Sequence, residues 1–275
     1  MEGYKIKKFY DKNNKRLIVI DQEATSDFWD SWWKKEDFLK EYQHTAGATN
    51  WFDKHLKMYL GNFVPAGAKI LDGGCGTGQY VYALSKWGYD AYGVDFAQKT
   101  VDTIKKNFPD MKISLQDVRN LDFTDNYFDA YYSGGVIEHF WEGYDEIINE
   151  AYRVLKKNGY LFISVPNFSP LLQFKALLGT FEVYTGTEKP EGFYQFCINH
   201  KKEINHIKQL GFKFVLKKKS NAMRGLCNEI STIAPIAKKF IGKKNFFTKC
   251  AKSILNHTLT VVAGSGIMLV FKKTT

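Results

Sequence analysis

The sequence predicts an α/β protein, a doubly wound parallel sheet with helices on both faces, and three observations carry that prediction. Apolar β runs alternate with amphipathic helical stretches between residues 68 and 166. A glycine-dense turn, GGCGTG at 73–78, joins the first run to the first of those helices. Asp95 and Asp117 then stand at the ends of the next two runs, AYGVD and KISLQD.

The elements follow in order. Residues 1–24 read as a short hairpin or arm with RLIVI as a strand. TSDFWDSWWKKEDFLKEY (25–42) and TNWFDKHLKMYL (49–60) each open on cap-forming residues and continue with helical spacing. Gly61 to Gly67, with Pro65, breaks the chain before the main domain. AKILDG (68–73) is a strand, 79–87 a helix closed by Gly88, and DAYGVD (90–95) a strand. A helix over 97–107 stops before Pro109, and strands follow at 112–117 and 127–133. The next helix, 143–157, ends at Asn158–Gly159, and YLFISVP (160–166) is the strand after it. Beyond Pro166 the pattern loosens into a loop-rich insert over 167–198. HKKEINHIKQLGF then reads as a helix, FKFVLKKK as a strand, 221–258 as a basic helical insert and SGIMLVFKK as a last strand. The division is therefore an arm and helical cap at 1–65 and a main domain at 66–275 that carries both inserts.

Composition narrows the class of function. Four scattered cysteines without a CxxC pair disfavour a disulfide framework or a cysteine zinc site and fit a reducing cytosol. The polar start MEGYKIKKFYDKNNKR is unlike a signal peptide. Residues 253–271 lack Lys, Arg, Asp and Glu, yet Gly264-Ser265-Gly266 favours a helix end, a turn and a strand over a membrane span. Charge is uneven: residues 1–170 sum to −3 and residues 171–275 to +13. Such an excess speaks of anionic partners rather than of fold.

The glycine turn excludes two phosphate-binding patterns. A G-x-G-x-x-G series would need glycine at 79, where Gln79 stands, and no Gly-Lys-Ser/Thr follows for a phosphate loop. What remains is the tighter Gly74-x-Gly76-x-Gly78, whose backbone lets a ligand approach the helix N-terminus. A carboxylate at the next strand tip, Asp95, suits the two hydroxyls of a ribose. Asp117 suits an exocyclic amino group, with the Val118 N–H beside it.

These residues carry a resemblance. ILDGGCGTG, GVDFA, LQDVRNLDFTDNYFDAYYSGGVIEHF and EAYRVLKKNGYLFISVPN resemble class I S-adenosylmethionine-dependent methyltransferases of the small-molecule type (methyltransferase type 11, ubiquinone-biosynthesis-like) over residues 66–167. The resemblance implies a Rossmann-like, seven-stranded, mostly parallel sheet whose last strand is antiparallel, with N-terminal helices and a C-terminal helical insert. It implies S-adenosylmethionine as cofactor, with S-adenosylhomocysteine as its product. Carried over by position, Asp72, Gly74, Cys75 and Gly76, with Gly73 and Gly78 in the same turn, would face the methionine portion. Asp95 would hold the ribose, Phe96 would lie beside the adenine, and Asp117 and Val118 would read its edge. Ser133, Gly134 and Gly135 would line the floor near the sulfonium. The family usually has Val or Ile where Gly73 stands, a departure expected to loosen that strand end.

His139 is the candidate general base, since imidazole titrates near neutrality, with Glu138 beside it; the alternative is that both brace the loop. The pair resembles the end of the E-x-x-E-H pattern of ubiquinone-biosynthesis O-methyltransferases, which is associated with a divalent metal. Gly135 replaces the first acid, and no metal is expected. Phe28, Trp32 and Trp33 are candidates to close over the site, against simple helix packing. Phe181, Tyr184, Phe193 and Tyr194 are candidates for an acceptor lid. The expected reaction is methyl transfer to an oxygen, or secondarily a nitrogen, of a small, anionic or sugar-like metabolite in the cytoplasm. The basic insert adds an anionic or lipid-linked acceptor, or a membrane surface, as its partner. RNA methylation and non-catalytic cofactor binding stand as alternatives; the absence of an Asn/Asp-Pro-Pro-aromatic motif after the fourth strand speaks against nucleic acid.

Overall fold

The computed structural model describes residues 6–32, 38–230 and 258–274. The chain opens with the hairpin β1 (Lys7–Asp11) and β2 (Arg16–Ile20), then helices α1 (Ser26–Trp32), α2 (Phe38–Ala46) and α3 (Trp51–Phe63). The alternating region follows as β3 (Lys69–Gly73), α4 (Gln79–Lys86), β4 (Asp90–Asp95), α5 (Gln98–Asn107), β5 (Lys112–Leu115), β6 (Phe128–Gly134), α6 (Asp145–Val154) and β7 (Leu155–Pro166). After it come α7 (Pro170–Leu177), β8 (Glu182–Val183), β9 (Phe193–Cys197), α8 (His200–Gln209), β10 (Phe212–Ser220), α9 (Ala222–Glu229) and β11 (Gly266–Lys273). Among the described residues no helix is long and apolar enough to cross a membrane.

The main sheet has seven strands in the order β10-β11-β7-β6-β3-β4-β5. Strands β3 to β7 pair in parallel, while β11 runs antiparallel to both neighbours. Both faces are buried because successive side chains point to opposite sides. Leu161 and Ile163 of β7 join the cluster under α6 and α8, whereas Phe162 joins the cluster under α3, α4 and α5. Strand order reverses between β3 and β6, and in open parallel sheets the ligand crevice lies there, beyond the carboxyl ends.

Several boundaries differ from the sequence reading. Helix α3 runs through Gly61 to Phe63, because Leu56 and Leu60 are fully buried and their packing outweighs one poor helix former. The strand read over 112–117 stops at Leu115, and α6 gives way to β7 at Leu155, three residues before Asn158. The insert over 167–198 is not loop alone. Its strands β8 and β9 join β1 and β2 in a four-stranded sheet of order β8-β1-β2-β9, so the segments read as arm and lid form one layer. Of the basic insert read over 221–258, α9 is described; residues 231–257 lie outside the described residues.

Gly73 owes its place to packing. A Cβ there would stand 2.0 Å from the Tyr131 hydroxyl, and the ring fills the room that a branched side chain would take. The strand end is not loosened, since Gly73 still pairs with Val94. Gly73→Val should therefore cost on the order of 1–3 kcal/mol through overpacking, read as a lower urea midpoint. An unchanged midpoint would mean that Tyr131 moves aside freely.

Candidate functional site

The turn between β3 and α4 is held from three sides. The N–H groups of Gly74 and Cys75 both donate to the Val94 carbonyl at 2.9 Å. The Gly76 N–H donates to Asp95 Oδ2 at 2.7 Å, and the Ala97 N–H to Asp95 Oδ1 at 3.0 Å. The Tyr42 hydroxyl of α2 donates to the Thr77 carbonyl. Gly74 needs its missing side chain: its φ is +81°, and a Cβ would come within 2.4 Å of Val136 Cγ2.

A cavity of about 420 Å³ opens at this turn. Gly74, Gly76, Asp95, Phe96, Asp117 and Val118 line one side of it, and Gly134, Gly135, Glu138 and His139 the other. Phe96 is 47% exposed, which leaves its ring open to a ligand in the cavity. Asp117 is occupied: Arg119 forks onto its carboxylate, with Nη2 to Oδ2 at 2.6 Å and Nε to Oδ1 at 3.0 Å. That pair, helped by the Arg119 N–H, holds the Asp117 carboxyl below its usual range.

Five residues assigned to cofactor contact do not line this cavity. Gly73 is filled by Tyr131, and Gly78 caps α4 while packing against Ile113 and Met111. Cys75 sits in the apolar cluster, its thiol pushed well up by burial, and Ser133 and Asp72 point into the protein. Residues the sequence reading passed over do line it, among them Trp29, Gln116, Arg119 and Phe140. The lid candidates divide likewise. Trp29, rather than Phe28, borders the cavity, with its ring 5.2 Å from His139, while Phe28 is buried beside Tyr194. Trp33 and the side chain of Trp32 lie outside the described residues. Tyr194 lines the cavity, but Phe193 is core, Phe181 packs near Lys175, and the Tyr184 hydroxyl donates to the Glu188 carbonyl.

The electrostatics suit a cationic ligand. Asp72 and Asp95 are buried, and burial raises the pKa of each. Neighbouring charge adds to it, Asp95 acting on Asp72 and Asp30 on Asp95. Among the described residues no Lys or Arg pairs with either, and Asp72 Oδ2 has no hydrogen-bond partner. A ligand bearing a sulfonium and an ammonium would relieve both conditions. Among the described residues, no group of three or more His, Cys, Asp or Glu could hold a metal ion.

A second, larger cavity of about 1120 Å³ adjoins the first and shares Gly134, Gly135, Glu138, Tyr194 and Gln195 with it. Asn50, Asp53, Tyr80 and Tyr132 line it near the shared wall, and Lys8, Arg224 and Asn228 line it toward α9. Asp53 is buried and braced, accepting from the Tyr80 hydroxyl at 2.9 Å and from Asn50 Nδ2 at 2.5 Å.

The two catalytic candidates differ in placement. His139 lines only the first cavity of the pair, and its Nδ1 lies 2.7 Å from the Tyr194 carbonyl. A carbonyl can only accept, so the proton is on Nδ1 and Nε2 carries the lone pair. Burial pulls this imidazole down to about 4, leaving it neutral at pH 7. Glu138 is 2% exposed and stands in the wall common to both cavities, and its Oε2 has no partner. Burial raises its carboxyl to about 8, against the pull of the Glu138 and Val136 N–H groups.

Known proteins carry the same pattern. Residues 71–163 match the methyltransferase domain family Methyltransf_11. An S-adenosylmethionine-dependent methyltransferase of Mycolicibacterium smegmatis is 30% identical over 125 residues, 44% of this chain and 48% of that protein, so the match spans about half the relative's length. A ubiquinone biosynthesis O-methyltransferase of Acinetobacter baylyi is 23% identical over 66% of this chain and 76% of its own. The crystal structure of a methyltransferase from Methanosarcina mazei superposes with a TM-score of 0.53 at 17% identity, over 78% of this chain and 97% of that one, a likeness of fold. With this sheet, this turn and this domain match, residues 71–163 carry a methyltransferase domain, and the chain is similar there to S-adenosylmethionine-dependent methyltransferases.

Proposed function

We propose that the protein transfers a methyl group from S-adenosylmethionine to an oxygen of a small, hydroxyl-bearing, anionic acceptor held in the larger cavity. The observation that carries this reading is Glu138, a buried carboxyl with one oxygen unpartnered, in the wall between the two cavities. When bound, the cofactor supplies a methyl group already activated on sulfur. The chain has then to hold both partners in line, exclude water and take a proton from the acceptor. Asp95, Phe96 and Val118 hold the nucleoside portion, and Gly74 and Gly76 give backbone approach at the other end. Asp72, buried just behind the turn with Oδ2 unpartnered, gains its charge as the cationic cofactor binds.

Glu138 is the proton acceptor. A carboxylate whose pKa stands near 8 is a stronger base toward a hydroxyl than an ordinary one. His139, tied to the Tyr194 carbonyl and packed against Trp29, fixes the loop that presents Glu138. The Asn221 and Asn228 amides around the larger cavity suit a hydroxyl-rich, sugar-like molecule, and Arg224 suits its anionic group.

Incubation with labelled cofactor and a metabolite extract should yield a product heavier by one CH₂. No labelled product with any acceptor would leave cofactor binding without catalysis. Glu138→Gln should lower turnover on the order of 10²-fold while calorimetry shows S-adenosylhomocysteine binding unchanged. Asp95→Ala should weaken that binding at least about tenfold through loss of its hydroxyl acceptor. Turnover should rise with pH as Glu138 loses its proton near 8, and a flat profile would reject its role as base.

Stability carries a matching signature. The folded chain keeps the Glu138 proton that the unfolded chain sheds at its ordinary 4.5, so Glu138 lowers stability as pH rises from 4.5 to about 8. His139, depressed from 6.5 to about 4, acts oppositely and lowers stability as pH falls below 6.5. Above pH 6.5, of these two groups, Glu138 acts alone. Urea unfolding should therefore show Glu138→Gln gaining on the parent chain between pH 6.5 and pH 8; a constant difference would reject the raised pKa.

A further inference from the structure

One face of the molecule combines exposed apolar side chains with cations that, among the described residues, no acid neutralises. On α7, Phe174, Leu177 and Leu178 are 58%, 80% and 66% exposed. Their spacing puts them on one ridge, while Leu172 of the same helix lines the larger cavity. Lys175 ties this helix to the end of α9, donating to the Glu229 carboxylate at 2.8 Å and to its carbonyl at 3.0 Å.

Helical residues 258–263 lie against α9, close enough that a Cβ on Gly225 would stand 2.0 Å from the Ala263 carbonyl. Val261 and Val262 there are 64% and 49% exposed. Lys219 Nζ donates to the Val261 carbonyl at 2.9 Å. Lys217 and Lys201 stand near enough to lower the Lys219 pKa, after burial, by repulsion. Among the described residues, none of Lys201, Lys217, Lys219 or Arg224 pairs with a carboxylate. Glu229 is already shared by Lys8 and Lys175.

Single exposed apolar side chains are ordinary, but five of them around one helix, among unpaired lysines, need a partner that takes both. Nucleic acid would use the lysines and leave the apolar side chains in water. An acidic bilayer takes apolar side chains at its headgroup–acyl boundary and lysines at its headgroups. The excess charge of +13 over residues 171–275 has the matching sign. We propose that the face formed by α7, α9 and residues 258–263, with the adjoining Lys201 of α8 and Lys217 and Lys219 of β10, docks on an anionic lipid membrane. Because α7 and α9 also wall the larger cavity, an acceptor carried in that membrane would meet it directly; this consequence rests on the methyl-transfer reading, whereas the docking does not.

Co-sedimentation of the full chain with phosphatidylcholine vesicles containing phosphatidylglycerol tests the docking without any turnover. Binding should be at least about tenfold weaker to phosphatidylcholine alone and should fall as salt rises. Leu177→Glu with Leu178→Glu should weaken it by about tenfold, with thermal unfolding and S-adenosylhomocysteine binding unchanged. Lys201→Glu with Lys217→Glu should remove most of the salt-sensitive part. No binding, equal binding to neutral vesicles, indifference to the leucine pair, or retention on RNA but not on vesicles would each overturn the proposal.

Discussion

The ligand crevice depends on one carboxylate. Asp95 receives a backbone N–H from the glycine turn and another from the start of α5, so two loops that converge on the crevice share a single anchor. A buried acid without a cation is costly, and the backbone donors offset part of that cost. The rest persists as a raised pKa, shared in sign with Asp72 a strand away. The fold thus gathers two buried carboxyls, whose ionisation a bound cation would favour, at the point where the strand order reverses. A positively charged nucleoside derivative is the kind of molecule that would relieve that burial.

The second requirement is a wall between the two cavities that is rigid and polar. Gly134 and Gly135 keep it thin, and a Cβ at Gly134 would meet the Tyr132 hydroxyl at 2.3 Å. Glu138 and Tyr194 complete it from opposite elements, one following β6 and the other on β9. Strand β9 is positioned by β2, so the Tyr194 side of the wall relies on the N-terminal hairpin although that hairpin is remote in sequence.

Much of this was legible in the sequence, for reasons that also mark where legibility ended. Period-two and period-3.6 patterning located β3 to β7 and their helices, because burial on both faces leaves unbroken apolar runs. Asp95 and Phe96 were legible because a strand tip fixes where its last residues point. The four-stranded sheet was not: RLIVI reads as a strand, but nothing local says that Val19 will face Gln195. Gly73 was read as a weakness because its neighbour in space, Tyr131, lies on another strand. The sequence points to Phe28, Trp32 and Trp33 rather than Trp29, since a short helix gives little purchase on which face is covered. Arg119 is two residues from Asp117 and shares a loop with it, yet its fork depends on a backbone bend that the sequence does not show.

The pairing of β2 with β9 joins residues 17–20 to residues 193–197, enclosing most of the methyl-donor half between them. A contact that spans so much chain closes late in folding, after the locally connected strands have formed. The locally connected β3–β7 region can therefore assemble first, and the wall that carries Tyr194 is completed by a final clasp. The same separation leaves hairpin and insert free to change together without disturbing the glycine turn or its anchor on Asp95.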